Sequence, residues 1–159
     1  MLVVVNSGPL ISLSRIGRLD LLPELFGRIV VPAAVYREVT HDLSLPGALA
    51  IQEADWLEVS QVADRAAVER LSYWLDPGES EVLVLAQELR ATAVIDERRG
   101  RNIAVALGIQ QTGTFGVLLA AKRAGSVPGI TPLLDQLAAN GVRLSSRLYE
   151  EARRLAGEG

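Results

Sequence analysis

Leu2-Val3-Val4-Val5-Asn6-Ser7-Gly8-Pro9 is the stretch on which the reading of the whole chain turns. Four consecutive apolar residues leave no polar position for water on either face, so Leu2–Val5 predicts a strand covered on both sides. Pro9 then suits the first turn of a helix, with Asn6 or Ser7 available to cap it. The apolar opening has no basic residue in front of it and stops at Asn6, which argues against a secretory leader. No later apolar run approaches the roughly 20 residues needed to cross a bilayer. The expectation is a soluble, cytoplasmic protein with no membrane partner.

Working outward, the same alternation repeats. Leu10, Leu13 and Ile16 recur at helical spacing before Gly17, and Leu19–Phe26 predicts a second short helix ended by Gly27. Ile29–Val31 is the next strand, closed by Pro32. Ala33–Val39 is helical, with Val35 and Val39 on one face and Arg37 and Glu38 away from it. Pro46–Ala54 predicts a helix, Trp56–Val59 a short edge strand and Ala63–Leu75 a helix of weaker periodicity. The most regular element follows: Asp76 caps a helix that carries acids in its first turn and continues through Val82–Leu89. Ala93–Ile95 reads as a strand ending at Asp96, Asn102–Leu107 as a helix, Ile109–Thr112 as a strand and Phe115–Arg123 as a helix. Pro132–Ala139 and Ser145–Leu155 complete the chain as helices, with Ser145 as a cap. There is no repeat, low-complexity tract or linker. This pattern predicts one α/β domain over residues 1–159: a three-layer α/β/α sandwich around a mostly parallel sheet.

Composition narrows the chemistry. The chain has 159 residues, no cysteine and a formal charge of −3. Without cysteine there is no disulfide framework, thiolate zinc site or cysteine nucleophile. A mildly acidic protein is not built to coat duplex nucleic acid, so any such contact must come from a local basic patch. No Walker loop or dinucleotide glycine fingerprint is present; Gly113-Thr114-Phe115-Gly116 lacks the spacing. The single histidine, His41, sits in a loop beside Asp42 with no nucleophile elbow, and reads as a surface residue. A signalling receiver domain would want paired acids after the first strand and a lysine after a late one, and neither is present.

Oxygen chemistry remains. In parallel sheets, ligands bind beyond the carboxyl ends of the strands where strand order reverses. Asn6 follows the first strand, Asp96 a later one, Glu38 lies on a helix, and Glu79 and Glu81 lie at a helix start. Each has an ordinary structural role open to it, as a cap, a dipole partner or a solvated acid. Brought to one sheet edge, their carboxylates would repel unless a cation sat among them. Hard divalent ions such as magnesium or manganese take such oxygen ligands.

Val4-Val5-Asn6-Ser7-Gly8-Pro9-Leu10-Ile11, Val31-Pro32-Ala33-Ala34-Val35-Tyr36-Arg37-Glu38-Val39, Asp76-Pro77-Gly78-Glu79-Ser80-Glu81, Val94-Ile95-Asp96-Glu97-Arg98-Arg99 and Thr112-Gly113-Thr114-Phe115-Gly116 occur in this order. In order and spacing the chain resembles the PIN-domain nucleases, the fold of VapC-type toxins, over nearly its whole length. It looks closest to a branch of short prokaryotic PIN-like proteins. The resemblance implies that the family's acidic positions fall on Asn6, on Glu38, on Glu79 or Glu81, and on Asp96. It implies that Ser7 and Thr114 are small hydroxyl residues near the site. It further implies a magnesium- or manganese-dependent ribonuclease in which Glu38 and Asp96 are ligands and Glu79 or Glu81 binds metal or orients water. A small antitoxin protein as partner and a homodimer are implied as well.

One departure stands out: Asn6 occupies a position where the family usually carries aspartate. A neutral amide binds a hard cation more weakly than a carboxylate, so a non-catalytic RNA- or protein-binding module is the competing expectation. Arg98, Arg99 and Arg101 follow Asp96 directly. They could grip phosphates, which an acidic protein needs for RNA, or form a solvated helix face paired with Glu97 and other acids.

Overall fold

The structure is a computed structural model and describes residues 1–159. In chain order its elements are β1 (Leu2–Val5), α1 (Ser7–Arg15), α2 (Leu21–Phe26), β2 (Arg28–Pro32), α3 (Ala33–Thr40), α4 (Ala48–Glu53), β3 (Leu57–Ser60), α5 (Arg65–Leu71) and α6 (Pro77–Leu89). They continue with β4 (Thr92–Val94), α7 (Arg98–Ala106), β5 (Gln111–Thr112), α8 (Thr114–Arg123), α9 (Thr131–Ala139) and α10 (Ser146–Leu155). The strands form one sheet in the order β3-β2-β1-β4-β5. Every pairing is parallel, with Val4 opposite Val30 on one side and Ala93 on the other. The ten helices flank this sheet in a three-layer α/β/α arrangement.

β1 is the central strand, which explains its uninterrupted apolar sequence: Val3, Val4 and Val5 are fully buried. α6 packs across β1, β2 and β4, with α5, α3 and α7 against it, while α2 and α8 pack on each other. β3 is at the sheet edge, as its short, half-polar sequence predicts. The caps assigned to Asp76 and Ser145 are made: the Asp76 side chain accepts from the Glu79 N–H, and the Ser145 hydroxyl accepts from the Leu148 N–H.

Two local expectations change. Asn6 occupies the N-cap position of α1, but neither its side chain nor that of Ser7 makes a capping hydrogen bond. α7 begins at Arg98, four residues before the expected Asn102. Gly100 lies inside its first turns, because a Cβ there would fall 2.5 Å from Ile95 Cδ1. A glycine that usually weakens a helix is here needed for close packing on the sheet.

Candidate active site

The chain runs from β1 out to β3 on one side of the sheet, then returns to β4 and β5 on the other. Strand order therefore reverses between β1 and β4, and the crevice at their carboxyl ends is the expected ligand position. Asn6 leaves β1 there and donates its N–H to the Val94 carbonyl at 2.9 Å. Asp96 leaves β4 on the adjacent loop.

α1 starts at this same edge and joins the acids. The Ser7 side chain faces the Glu38 carboxylate brought in by α3 closely enough to favour its charged form. Gly8 faces Asp96: a Cβ on Gly8 would fall 3.4 Å from Asp96 Oδ2. Glu38 and Asp96 thus lie against the same first turn, whose exposed N–H dipoles favour negative charge. They are not on opposite sides of the molecule.

α6 decides between Glu79 and Glu81. Residues two apart on a helix are rotated by about 200°, so both cannot face one site. Glu79 turns towards α7, where a Cβ on Gly100 would sit 3.2 Å from its Oε2, and it feels the charges of Asp76 and Glu97. Glu81 turns away. It is buried, accepts the Ala34 N–H at 3.3 Å and pairs with Arg65 at 2.9 Å. Its two oxygens hold α3 and α5 to α6, so Glu81 leaves the acid cluster.

Asp96 is fixed by Thr114. The Thr114 N–H donates to Oδ1 and its hydroxyl to Oδ2, each at 2.7 Å. Asp96 therefore caps α8 from outside and does not cap α7, for which Glu97 stands at the N-cap. Ser7 and Thr114 act on the acids. The Thr114 hydroxyl is engaged by Asp96, and that of Ser7 faces Glu38.

Crowding leaves an electrostatic mark. Burial, a hydrogen bond that the protonated Glu79 carboxyl donates to Asp76, and the charges of Asp76 and Glu97 push the Glu79 carboxyl up to about 7. Partial burial raises Glu38 above its ordinary value, and the charge of Asp76 adds to it, against smaller opposing effects of His41 and Ser7. No lysine or arginine pairs with Glu38, Asp76, Glu79 or Asp96. Asn6 is only 4% exposed, and its side chain makes no hydrogen bond within the protein.

Glycines keep the space around these acids bare. Gly8 and Gly113 face Asp96, Gly78 faces Glu38, and Gly100 faces Glu79; a Cβ on Gly113 would fall 2.7 Å from Asp96 Oδ1. These carboxylates, none of which has a lysine or arginine partner, fit a hard divalent cation in donor chemistry. No three acidic or histidine side chains close around one point, so the acids do not form a complete cage. Magnesium commonly uses one or two carboxylates, with waters and substrate oxygens completing its shell, and the arrangement suits that mode.

Two cavities, about 550 and 620 Å³, share Asp96 in their walls. Arg98, Arg101, Arg143 and Arg147 line one or both. None of these four, nor Arg99, is ion-paired, so the expected pairing of the Arg98–Arg101 stretch with Glu97 is not made. Arg99 donates to the Trp74 carbonyl at 3.1 Å and Arg101 to Gln111 at 2.7 Å.

Asp76, Glu97, Arg143 and Arg147 were not foreseen as parts of this site. Asp76 carried a signal, but its helix-capping role accounted for it fully at the level of sequence. Arg143 and Arg147 reach the site only because the C-terminal segment folds back beside α7 and α8, which no local pattern announces.

A family model described as DUF3368, PIN domain, matches residues 2–158. No curated protein matches the chain significantly.

Proposed function

The chain belongs to the PIN-domain family, and we propose on that premise that it is a divalent-metal-dependent endoribonuclease, the toxin of a toxin–antitoxin pair. The observation that carries this reading is the placing of Glu38 and Asp96 against the first turn of α1, with Glu79 close by beside Asp76 and Glu97 and no lysine or arginine paired with any of them. Magnesium or manganese is the proposed metal, with Glu38, Glu79, Asp96 and the Asn6 carbonyl as its candidate holders.

Bound there, the ion would supply Lewis acidity, lowering the pKa of a water and offsetting charge on the phosphoryl oxygens. The chain's own groups do the rest. Thr114 keeps both oxygens of Asp96 in a fixed direction. Glu79, a carboxylate beside the ion, orients the attacking water and takes up its proton at a carboxylate oxygen. Arg98 and Arg101, with Arg143 and Arg147, hold the phosphates that flank the cut. The partners in this reading are RNA, a small antitoxin protein and a second copy of the chain, in the cytoplasm. A short antitoxin-like reading frame beside the coding sequence would support the pairing.

Cleavage of single-stranded RNA with magnesium or manganese, wild type against Asp96→Asn, tests the reading. Activity should require the metal and fall about 100-fold or more in the variant, since even groups that only orient metal ligands cost up to that much when removed. Metal-independent cleavage untouched by the substitution rejects it. The second reading, a non-catalytic binding module, is favoured by Asn6 and by the absence of a closed three-acid cage. RNA binding retained without measurable magnesium or manganese binding by calorimetry would select it.

A further inference from the structure

The chain has seven aromatic residues, and five of them are at least partly covered. The exceptions are adjacent: Tyr73 is 86% exposed and Trp74 59%. A buried aromatic of this size would remove about 150–250 Å² from water, so two left in solvent side by side forgo a large stabilisation.

Their backbone is not loose. They lie between α5 and α6, where the Trp74 and Leu75 N–H groups both donate to the Leu71 carbonyl, at 2.9 and 3.0 Å. Leu75 is anchored in the core, and Arg99 ties the Trp74 carbonyl to α7. The two rings have centroids 6.1 Å apart and are tilted by 60°, so neither covers the face of the other. Trp74 is two residues before Asp76, which limits their Cα separation to about 7 Å. The segment that carries the rings therefore leads directly into Asp76 and is tied to α7 by Arg99.

The surroundings indicate what could cover these rings. Glu69, Arg70 and Asp76 are exposed nearby, and Arg99 carries no carboxylate partner. An apolar protein face would have to desolvate these charges to reach two isolated rings. A nucleic-acid strand needs both features: π-faces for its bases and guanidinium groups for its phosphates. In a duplex the base faces are already occupied by their neighbours, so only unpaired bases can use the rings.

We propose that Tyr73 and Trp74 form a stacking platform for unpaired bases of the RNA, on the segment that leads into Asp76. This rests on the ribonuclease reading and adds a base-binding subsite that selects unpaired strands.

The test measures binding of the full chain in EDTA to three fluorescent probes of equal length: an oligouridylate, an abasic strand with the same phosphates, and a blunt RNA duplex. Trp74→Ala should weaken oligouridylate binding about 5- to 150-fold, the range expected for loss of one stacked base. Trp74→Phe should restore most of the affinity, and the abasic strand should bind wild type and Trp74→Ala alike. Tyr73→Ala should act in the same direction. Unchanged oligouridylate affinity in both alanine variants, with Arg99→Ala still weakening it, overturns the platform and leaves the ribonuclease reading standing. Loss of self-association on size exclusion with unchanged RNA affinity overturns it in favour of a protein contact. Failure of the wild type to bind any strand overturns both the platform and the reading beneath it.

Discussion

Two glutamates of this chain have opposite fates. Glu158 accepts the N–H groups of Ile130 and Thr131 at 2.9 and 3.0 Å, the Thr131 hydroxyl at 2.7 Å and the Lys122 ammonium at 2.9 Å. These donors hold its carboxyl down to about 2. Glu79, at the carboxyl edge of the sheet, is set among other acids and pushed up to about 7. The first carboxylate is fully used by the fold and stitches the segment after α10 onto the start of α9. The second is held where its charge is unwelcome, a state that persists because the surrounding packing overdetermines it. A molecule that can satisfy a carboxylate this well in one place leaves Glu79 among other acids only at a cost in stability, and the proposed metal site rests on that contrast.

The largest expected effect separates the two regions by activity. Asp96→Asn should lower metal-dependent RNA cleavage by about 100-fold or more, with the unfolding midpoint in urea nearly unchanged. Glu158→Ala should do the reverse. It strands two backbone donors and an ammonium, and should cost about 2 kcal/mol in urea unfolding while leaving manganese affinity intact. A loss of manganese affinity in Glu158→Ala would break the comparison.

Glu81 sharpens it from inside α6. Glu81→Gln weakens the pair with Arg65 and should cost about 1 kcal/mol, since the arginine is largely solvated, with no change in metal affinity. Glu79→Gln should weaken metal binding instead. Equal effects of the two substitutions on metal affinity would contradict the assignment of opposite faces.

The smallest effect is in the pH dependence of stability. A carboxyl raised on folding favours the fold while protonated, so the stability linked to Glu79 is present below about pH 4.5 and is lost as pH rises through about 7. Glu79→Gln should match the wild type near pH 4.5 and gain on it towards pH 8, by about 1 kcal/mol once solvent screening is allowed for. Glu158 has the opposite sign: its contribution is complete above about pH 4.5 and is lost as pH falls towards 2. Metal-free urea melts across this range read both slopes. A Glu79→Gln curve parallel to the wild type would show that Glu79 is not under strain.

Much of the architecture was legible in the sequence because buried parallel strands have a plain signature. Leu2–Val5, Ile29–Val31 and Ala93–Ile95 each identified a strand to within a residue or two at either end. The start of α7 was not legible, since Arg98-Arg99-Gly100 looks like a loop until the closeness of Ile95 to Gly100 is known. At the candidate site, position after a strand singled out Asn6 and Asp96, whereas Glu38 and the pair Glu79 and Glu81 stood out on helices and through the family resemblance. The choice between Glu79 and Glu81 needs the rotational phase of α6, which packing sets. Asp76 shows a different obstacle: one carboxylate can cap a helix and raise the pKa of two neighbours, and the first role hides the second.

Manganese binding to the acid cluster can be followed by electron paramagnetic resonance at pH 7.5, wild type against the double variant Glu79→Gln/Asp96→Asn. The wild type should bind manganese saturably, with magnesium competing, and the double variant should retain its fold and bind none. Equal binding by both proteins, or no binding by the wild type, would contradict the proposed metal site.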